Sequence, residues 1–304
     1  MVICVLDKIR FAGRLLRRPF YFVRPLSGYL RRLFVTHAPI PHLMGEVGSN
    51  GVVVSLTTFG KRLDTVYLAV LSMMHQTAKP DLIVLWLDRG MTLSDIPSSL
   101  RRLVPYGLDI RYDCENLKGH KKYYWALKEF KDCCVITIDD DVIYPHDTIE
   151  SLLAAHKKYP DAVVARRVNK MTFDGDSLLP YEEWEFQWAQ NGCPRRDLLA
   201  TGVGGVLYPP NCFGEAAFDC AAIVGSSLSN DDIWLKAQEL LCGRGVAWAP
   251  CNRNFTHPYE IDGTQDVALY SSNGAMGGND MAIHAIEGEL GVSFSQLARG
   301  NDGN

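Results

Sequence analysis

The chain has 304 residues, 47% hydrophobic and 22% charged. That is ordinary globular composition, ample for a sizeable core, and it excludes bulk disorder, collagen and coiled coil. The net charge of −4 hides a division: residues 1–36 hold eight Lys and Arg against one acid, Asp7, so a front end of +7 leaves −11 on the rest.

No apolar run reaches the roughly 18 residues that a membrane span needs. Residues 1–6 are too short for the apolar part of a signal peptide, and charge follows them, so the expected location is cytoplasmic. Nine cysteines are scattered without any C-x-x-C pair, which predicts small buried hydrophobes in a reducing compartment and no zinc site.

In chain order, Phe11, Leu15, Leu16, Phe20, Tyr21 and Phe22 alternate with arginines at near-helical spacing, interrupted by Pro19 and Pro25. This basic amphipathic segment, residues 1–36, suits the surface of an anionic membrane. A solvated arm or a helix docked on the body would read the same way. Residues 37–50, with Pro39, Pro41 and Gly45, form a linker. A buried strand is predicted at 52–56 and a loop at 57–62. Leu63, Val66, Tyr67, Val70, Leu71 and Met74 then mark one face of an amphipathic helix. Strands follow at 82–87, 108–112, 133–138 and 162–165. Helices are predicted at 94–104, at 122–130, and from Asp147, with Glu150 completing a capping box. The alternation predicts an α/β fold with a parallel sheet wrapped by helices. Residues 171–200 are rich in Trp, Glu and Asp without a period. A glycine loop at 202–205 runs into a short strand, another strand lies at 245–249, and past residue 252 glycine content rises.

Three acids, Asp139, Asp140 and Asp141, end the apolar 133–138 run. Ligands of parallel sheets bind beyond the carboxyl ends of strands. Alternation would turn Asp139 and Asp141 to one side and Asp140 to the other. Convergent carboxylates there suit a hard divalent cation carrying a diphosphate, although turn and cap residues could also be acidic. Asp231 and Asp232 precede a helix, as caps favoured by the macrodipole or as a general base at a cleft edge. Gly119 and the lysines at 118, 121 and 122 suit phosphate at a helix start. The glycine run lets backbone approach a ligand closely. His257 is a candidate third metal ligand or a structural histidine.

Taken in order over residues 50–250, these stretches resemble the nucleotide-sugar-dependent glycosyltransferases of the GT-A fold. The similarity is greatest to family-2-like bacterial enzymes of capsule, O-antigen or other surface polysaccharide assembly. Val54 to Thr58 with Arg62 resembles their nucleoside-contacting loop, Ser72 to Pro80 with Gln76 the stretch that follows, and Asp139-Asp140-Asp141 the D-x-D motif. The resemblance implies Asp139 and Asp141 as metal ligands with His257. It implies a donor site of Leu56, Thr57, Thr58, Arg62, Lys122, Asp139, Asp140, Gly204 and Gly205. It implies Asp232 as the base beside Asp231, with Mn2+ or Mg2+ as cofactor. It also implies a GT-A type α/β fold with a Rossmann-like, mostly parallel sheet.

The expected domains are a catalytic domain at 51–252, with a donor half at about 51–165 and an acceptor half at about 166–252, then a glycine-rich, partly ordered region at 253–304. The implied activity is a single, inverting sugar transfer of the hexosyltransferase type (EC 2.4). The donor is a UDP-sugar and the acceptor a hydroxyl of a glycan or lipid-linked molecule, at the inner face of the plasma membrane, with no nucleic-acid partner. A haloacid-dehalogenase-like phosphatase and a non-catalytic binder of nucleotide sugar or polysaccharide are the alternatives.

Overall fold

A computed structural model describes residues 23–190, 192–250, 259–261 and 277–299. The chain divides into a unit of residues 1–39 and a unit of residues 40–304. In the first, α1 (Val23–His37) is a helix with Tyr29, Leu30, Leu33 and Phe34 exposed. At 100° per residue these four share one face, apart from Arg31 and Arg32. The rest of the basic segment lies outside the described residues. Among the described residues no helix is long and apolar enough to cross a membrane.

The second unit begins with β1 (Val52–Thr57), whose Val53, Val54, Ser55 and Leu56 are all buried. A 3-10 turn at Gly60–Asp64 leads to α2 (Tyr67–Met74). The expected amphipathic helix is shorter than its apolar pattern and buried all round, with every residue from Leu68 to Met74 enclosed. The turn takes up the start of the pattern. Next comes β2 (Leu82–Asp88). In place of a helix over 94–104 stands the four-residue α3 (Ser98–Arg101) between two 3-10 turns, because Pro97 and Pro105 interrupt the run. Then follow β3 (Leu108–Cys114), α4 (Lys121–Glu129), β4 (Cys134–Thr137), β5 (Val142–Ile143), α5 (Thr148–Lys158) and β6 (Val163–Ala165).

The expected capping box is absent from α5. The Asp147 carboxylate pairs instead with Arg166 at 3.0 Å, and Glu150 accepts from Thr77 Oγ1 at 2.8 Å. The unpatterned stretch holds β7 (Val168–Lys170), the small hairpin of β8 (Phe173–Asp174) and β9 (Ser177–Leu178), and β10 (Leu198–Ala200), which pairs with β7. The chain continues through β11 (Val206–Tyr208), α6 (Cys220–Ser226), α7 (Asp231–Leu241), β12 (Val246–Trp248) and β13 (Tyr259–Glu260). It ends in α8 (Gly278–Leu290) and α9 (Phe294–Arg299), which pack on α6 and α7 through Ile283, Ile286 and Phe294.

Seven strands form the central sheet in the order β12-β6-β11-β4-β1-β2-β3. Neighbours are parallel except β11, which runs antiparallel between β4 and β6. The α/β architecture expected of the GT-A type, a mostly parallel sheet flanked by helices, is the one observed. Burying both faces explains why β1, β2 and β4 are continuous apolar runs. Cysteines 114, 133, 134 and 212 are buried as expected, whereas Cys193 and Cys242 are exposed.

Candidate active site

Strands β1, β2 and β4 run parallel, so their carboxyl ends share one edge of the sheet. A cavity of about 730 Å³ opens there. Its walls come from both sides of residue 165: Thr57, Arg62, Lys122 and the three acids after β4 on one side, and Arg167, Tyr181, Thr201, Asp231 and Asp232 on the other.

Strand β4 ends at Thr137, so Asp140 and Asp141 lie in a turn and strand alternation does not govern them. All three acids line the cavity. Arg62 bridges two of them, with Nη1 2.8 Å from Asp140 and Nη2 3.1 Å from Asp141. Thr58 Oγ1 donates to Asp140 at 2.6 Å. Burial pushes the Asp140 carboxyl up, while Arg62 and Thr58 oppose the rise. Asp141 is raised to about 6 by burial and by the neighbouring Asp139 charge. Asp139 takes the Lys122 ammonium at 2.8 Å, and its amide donates to Tyr144 Oη at 2.8 Å.

Lys122 sits in the first turn of α4. Ser55 Oγ in β1 donates to the Lys122 carbonyl at 2.5 Å, and Trp86 Nε1 in β2 donates to that hydroxyl at 2.8 Å. The buried ammonium reaches Asp139 on one side and Asp231, at 2.9 Å, on the other. Desolvation opposes its charge, but Asp139, Asp231 and Asp232 together hold its pKa well above the usual lysine range.

Asp231 and Asp232 occupy the first turn of α7, and Asn230 stands at the N-cap. The two acids diverge. Burial would raise Asp231, but Lys122 outweighs it and holds the carboxyl below its usual value. His120, itself kept neutral by burial, adds little charge at neutral pH. Asp232 is raised to about 7 by burial and by the Asp231 charge. Its two oxygens accept from the Gly202 amide at 3.2 Å each. Paired carboxylates whose surroundings drive them apart are a recurrent acid–base arrangement.

The glycine loop serves this assembly sterically. A Cβ on Gly202 would stand 2.8 Å from Lys122 Nζ and 3.1 Å from Asp139 Oδ1. Gly204 leaves room for the Arg167 backbone at 2.8 Å, and Gly205 has φ +85°, open to glycine at little cost. Gly204 and Gly205 therefore shape the wall from behind and do not line the cavity; nor do the buried Leu56 and Thr58. His257 lies outside the described residues.

Gln76, in the stretch after the first loop, supports the site without lining the cavity. The Gln76 amide donates to Ser72 O at 2.9 Å and Pro145 O at 2.7 Å, and its oxygen accepts from Ile149 N at 3.0 Å. It thereby clamps the segment after the three acids. In the stretch at 171–200, Trp184 and Trp188 are core residues, whereas Tyr181 lines the cavity.

Among the described residues no three His, Cys, Asp or Glu side chains form a ready metal cage. The donor chemistry nonetheless fits Mg2+ or Mn2+. Asp139 and Asp141 could offer carboxylate oxygens, with the Asp139 charge raising Asp141, and such ions take one or two carboxylates and fill their shell with phosphate oxygens and water.

No protein-family model matches the chain, and no curated protein matches it in sequence. Among solved structures, a mannosyltransferase from Pyrobaculum calidifontis in complex with GDP-Man and Mn2+ aligns over 90% of this chain and 73% of its own, with 12% identity and a TM-score of 0.48.

Proposed function

We infer that the protein is a metal-dependent glycosyltransferase that moves a sugar from a nucleoside-diphosphate sugar to an acceptor hydroxyl. The observation that carries this reading is the Lys122 ammonium, buried between an acid of the D-x-D turn (Asp139) and an acid of the helix-start pair (Asp231). One cation joins the two acidic stretches, so the diphosphate end and the proton-accepting end of a transfer reaction can share one cavity.

In this reading Asp139 and Asp141 hold the divalent ion, which when bound neutralises charge developing on the leaving diphosphate. Arg62, tied to Asp140 and Asp141, keeps their turn in place. Lys122 supplies a fixed positive charge near the diphosphate. Asp232, raised to about 7, accepts the proton of the attacking hydroxyl, because a base works best with its pKa near working pH. Asp231 stays ionised on Lys122 and keeps Asp232 basic. One displacement inverts the anomeric carbon, and a single addition to a glycan or lipid-linked acceptor follows the resemblance, as do UDP as nucleotide and a place in capsule or O-antigen assembly. The exposed apolar face of α1 and the basic residues 1–36 would hold the enzyme peripherally at the inner, anionic membrane face.

A panel of UDP-, GDP- and dTDP-sugars, assayed with Mn2+, with Mg2+ and with EDTA, tests the reading. The expected result is metal-dependent release of one nucleoside diphosphate. Release from none of them, or phosphate release from a phosphomonoester, would overturn it.

A further inference from the structure

The cations of the cavity wall are nearly all engaged. Arg62 holds Asp140 and Asp141, Lys122 holds Asp139 and Asp231, Lys121 pairs with Asp88, and Lys118 Nζ donates to Ser229 Oγ at 2.9 Å. Arg167 is different. Its side chain lines the cavity, no carboxylate among the described residues pairs with it, and its Nε is buried without a hydrogen-bond partner. A buried donor of a charged group left without a partner carries an uncompensated desolvation cost. A cavity-lining guanidinium that no protein carboxylate balances suits an anionic ligand.

Its backbone is held with equal care. Thr201 N donates to the Arg167 carbonyl at 3.1 Å and Thr201 Oγ1 at 3.2 Å, while the missing side chain of Gly204 makes room for the Arg167 main chain. The residue after Thr201 is Gly202, whose amide holds Asp232. Arg167 and Asp232 are thus anchored to the successive residues Thr201 and Gly202. That sets the Arg167 backbone next to the segment that holds the base, in a cavity whose lining also includes Tyr181 and Phe186. A guanidinium is a fork of parallel donors suited to phosphate or carboxylate oxygens.

We propose that Arg167 binds a phosphate group of the acceptor, so that the protein selects an acceptor that carries phosphate near its reacting hydroxyl. This rests on the transferase reading for which group is donor and which acceptor. Lys122 and the Asp139–Asp141 turn serve the donor diphosphate; Arg167 serves a second anion bound beside it. A reaction that installs phosphate on the acceptor must then precede this one.

Calorimetry on the full chain tests it in two arms, with Arg167→Ala and Arg167→Lys compared to the unaltered protein. The first arm measures UDP and GDP binding in Mn2+. The second titrates inorganic phosphate into protein already saturated with the tighter nucleotide and Mn2+. The expected result is nucleotide affinity within about twofold in both variants, with phosphate binding weakened at least tenfold in Arg167→Ala and partly kept in Arg167→Lys. The proposal is overturned if the nucleotide-saturated protein takes up no phosphate, if Arg167→Ala takes it up as well as the unaltered protein, or if the variant's loss falls on the nucleotide, which would make Arg167 a donor residue. Failure of both nucleotides to bind the unaltered protein would instead count against the transferase reading. In that case phosphate is titrated into the Mn2+ protein alone, where Arg167-dependent uptake would support an anion site and its absence would overturn it.

Discussion

The amide of Gly202 donates to both carboxylate oxygens of Asp232, at 3.2 Å each, and its missing side chain is the space in which Lys122 and Asp139 meet. A single methyl group there would stand 2.8 Å from the Lys122 ammonium. Gly202→Ala should therefore cut transfer by at least tenfold while leaving the melting temperature nearly unchanged, because the ammonium and not the backbone must move. Activity within twofold of the unaltered protein would mean that the Lys122–Asp139 contact is dispensable.

Asp232 binds its proton more tightly in the folded chain, where its pKa is about 7, than in the unfolded one, where it is near 3.8. Its favourable contribution is thus fully present below about pH 4 and is lost as pH rises through about 7. Asp232→Asn removes that loss. The variant should melt higher than the unaltered protein at pH 8, and the gap should narrow as pH falls below about 7 and close only near pH 4. Loss of a general base slows a reaction by about 10²–10⁴-fold, so the same variant should be nearly inactive. A melting gap that is equal at both pH values would contradict the raised pKa.

Lys122 is the buried charge that balances Asp139 and Asp231. Removing one partner of a buried ion pair costs about 3–5 kcal/mol. Lys122→Met should lower the urea midpoint accordingly, and Mn2+ should restore part of it by replacing the lost positive charge. An unchanged midpoint would show that solvent screens these carboxylates.

Gln76 spends its whole side-chain amide on the segment that follows the three acids. Gln76→Leu leaves those backbone groups unpaired, at about 1–3 kcal/mol. The expected outcome is a higher Mn2+ concentration for half-maximal activity with donor affinity at saturating metal unchanged. An unaltered metal requirement would separate the clamp from the metal turn.

Deleting residues 1–36 should weaken sedimentation with anionic vesicles and leave binding to neutral vesicles as it was, since each surface Lys or Arg contributes about 1 kcal/mol at an anionic leaflet. Equal sedimentation before and after deletion would remove the membrane proposal without touching the transferase one.

The runs at 52–56, 82–87 and 133–138 were legible as buried strands because a strand enclosed on both faces needs apolar side chains at every position, a requirement local to the run. The acids at 139–141 and 231–232 stood out as chemistry for the same local reason: charge directly beside burial. The insertion of β11 antiparallel between β4 and β6 was not legible, since three residues carry no mark of their direction. Short helix signals failed where Pro97 and Pro105 cut α3, and the 147/150 cap failed where Arg166 and Thr77 offered better partners. Local patterning thus marked the charged and apolar groups and the strands that carry them. The meeting of Lys122 with Asp139 and Asp231, the capture of Asp140 and Asp141 by Arg62, and the lack of a carboxylate partner, among the described residues, for the cavity-lining Arg167 arose only in the fold. Those outcomes depend on groups tens of residues apart competing for partners in a buried space, where an unpaired charge is costly and each cation can satisfy only what folding brings within its reach.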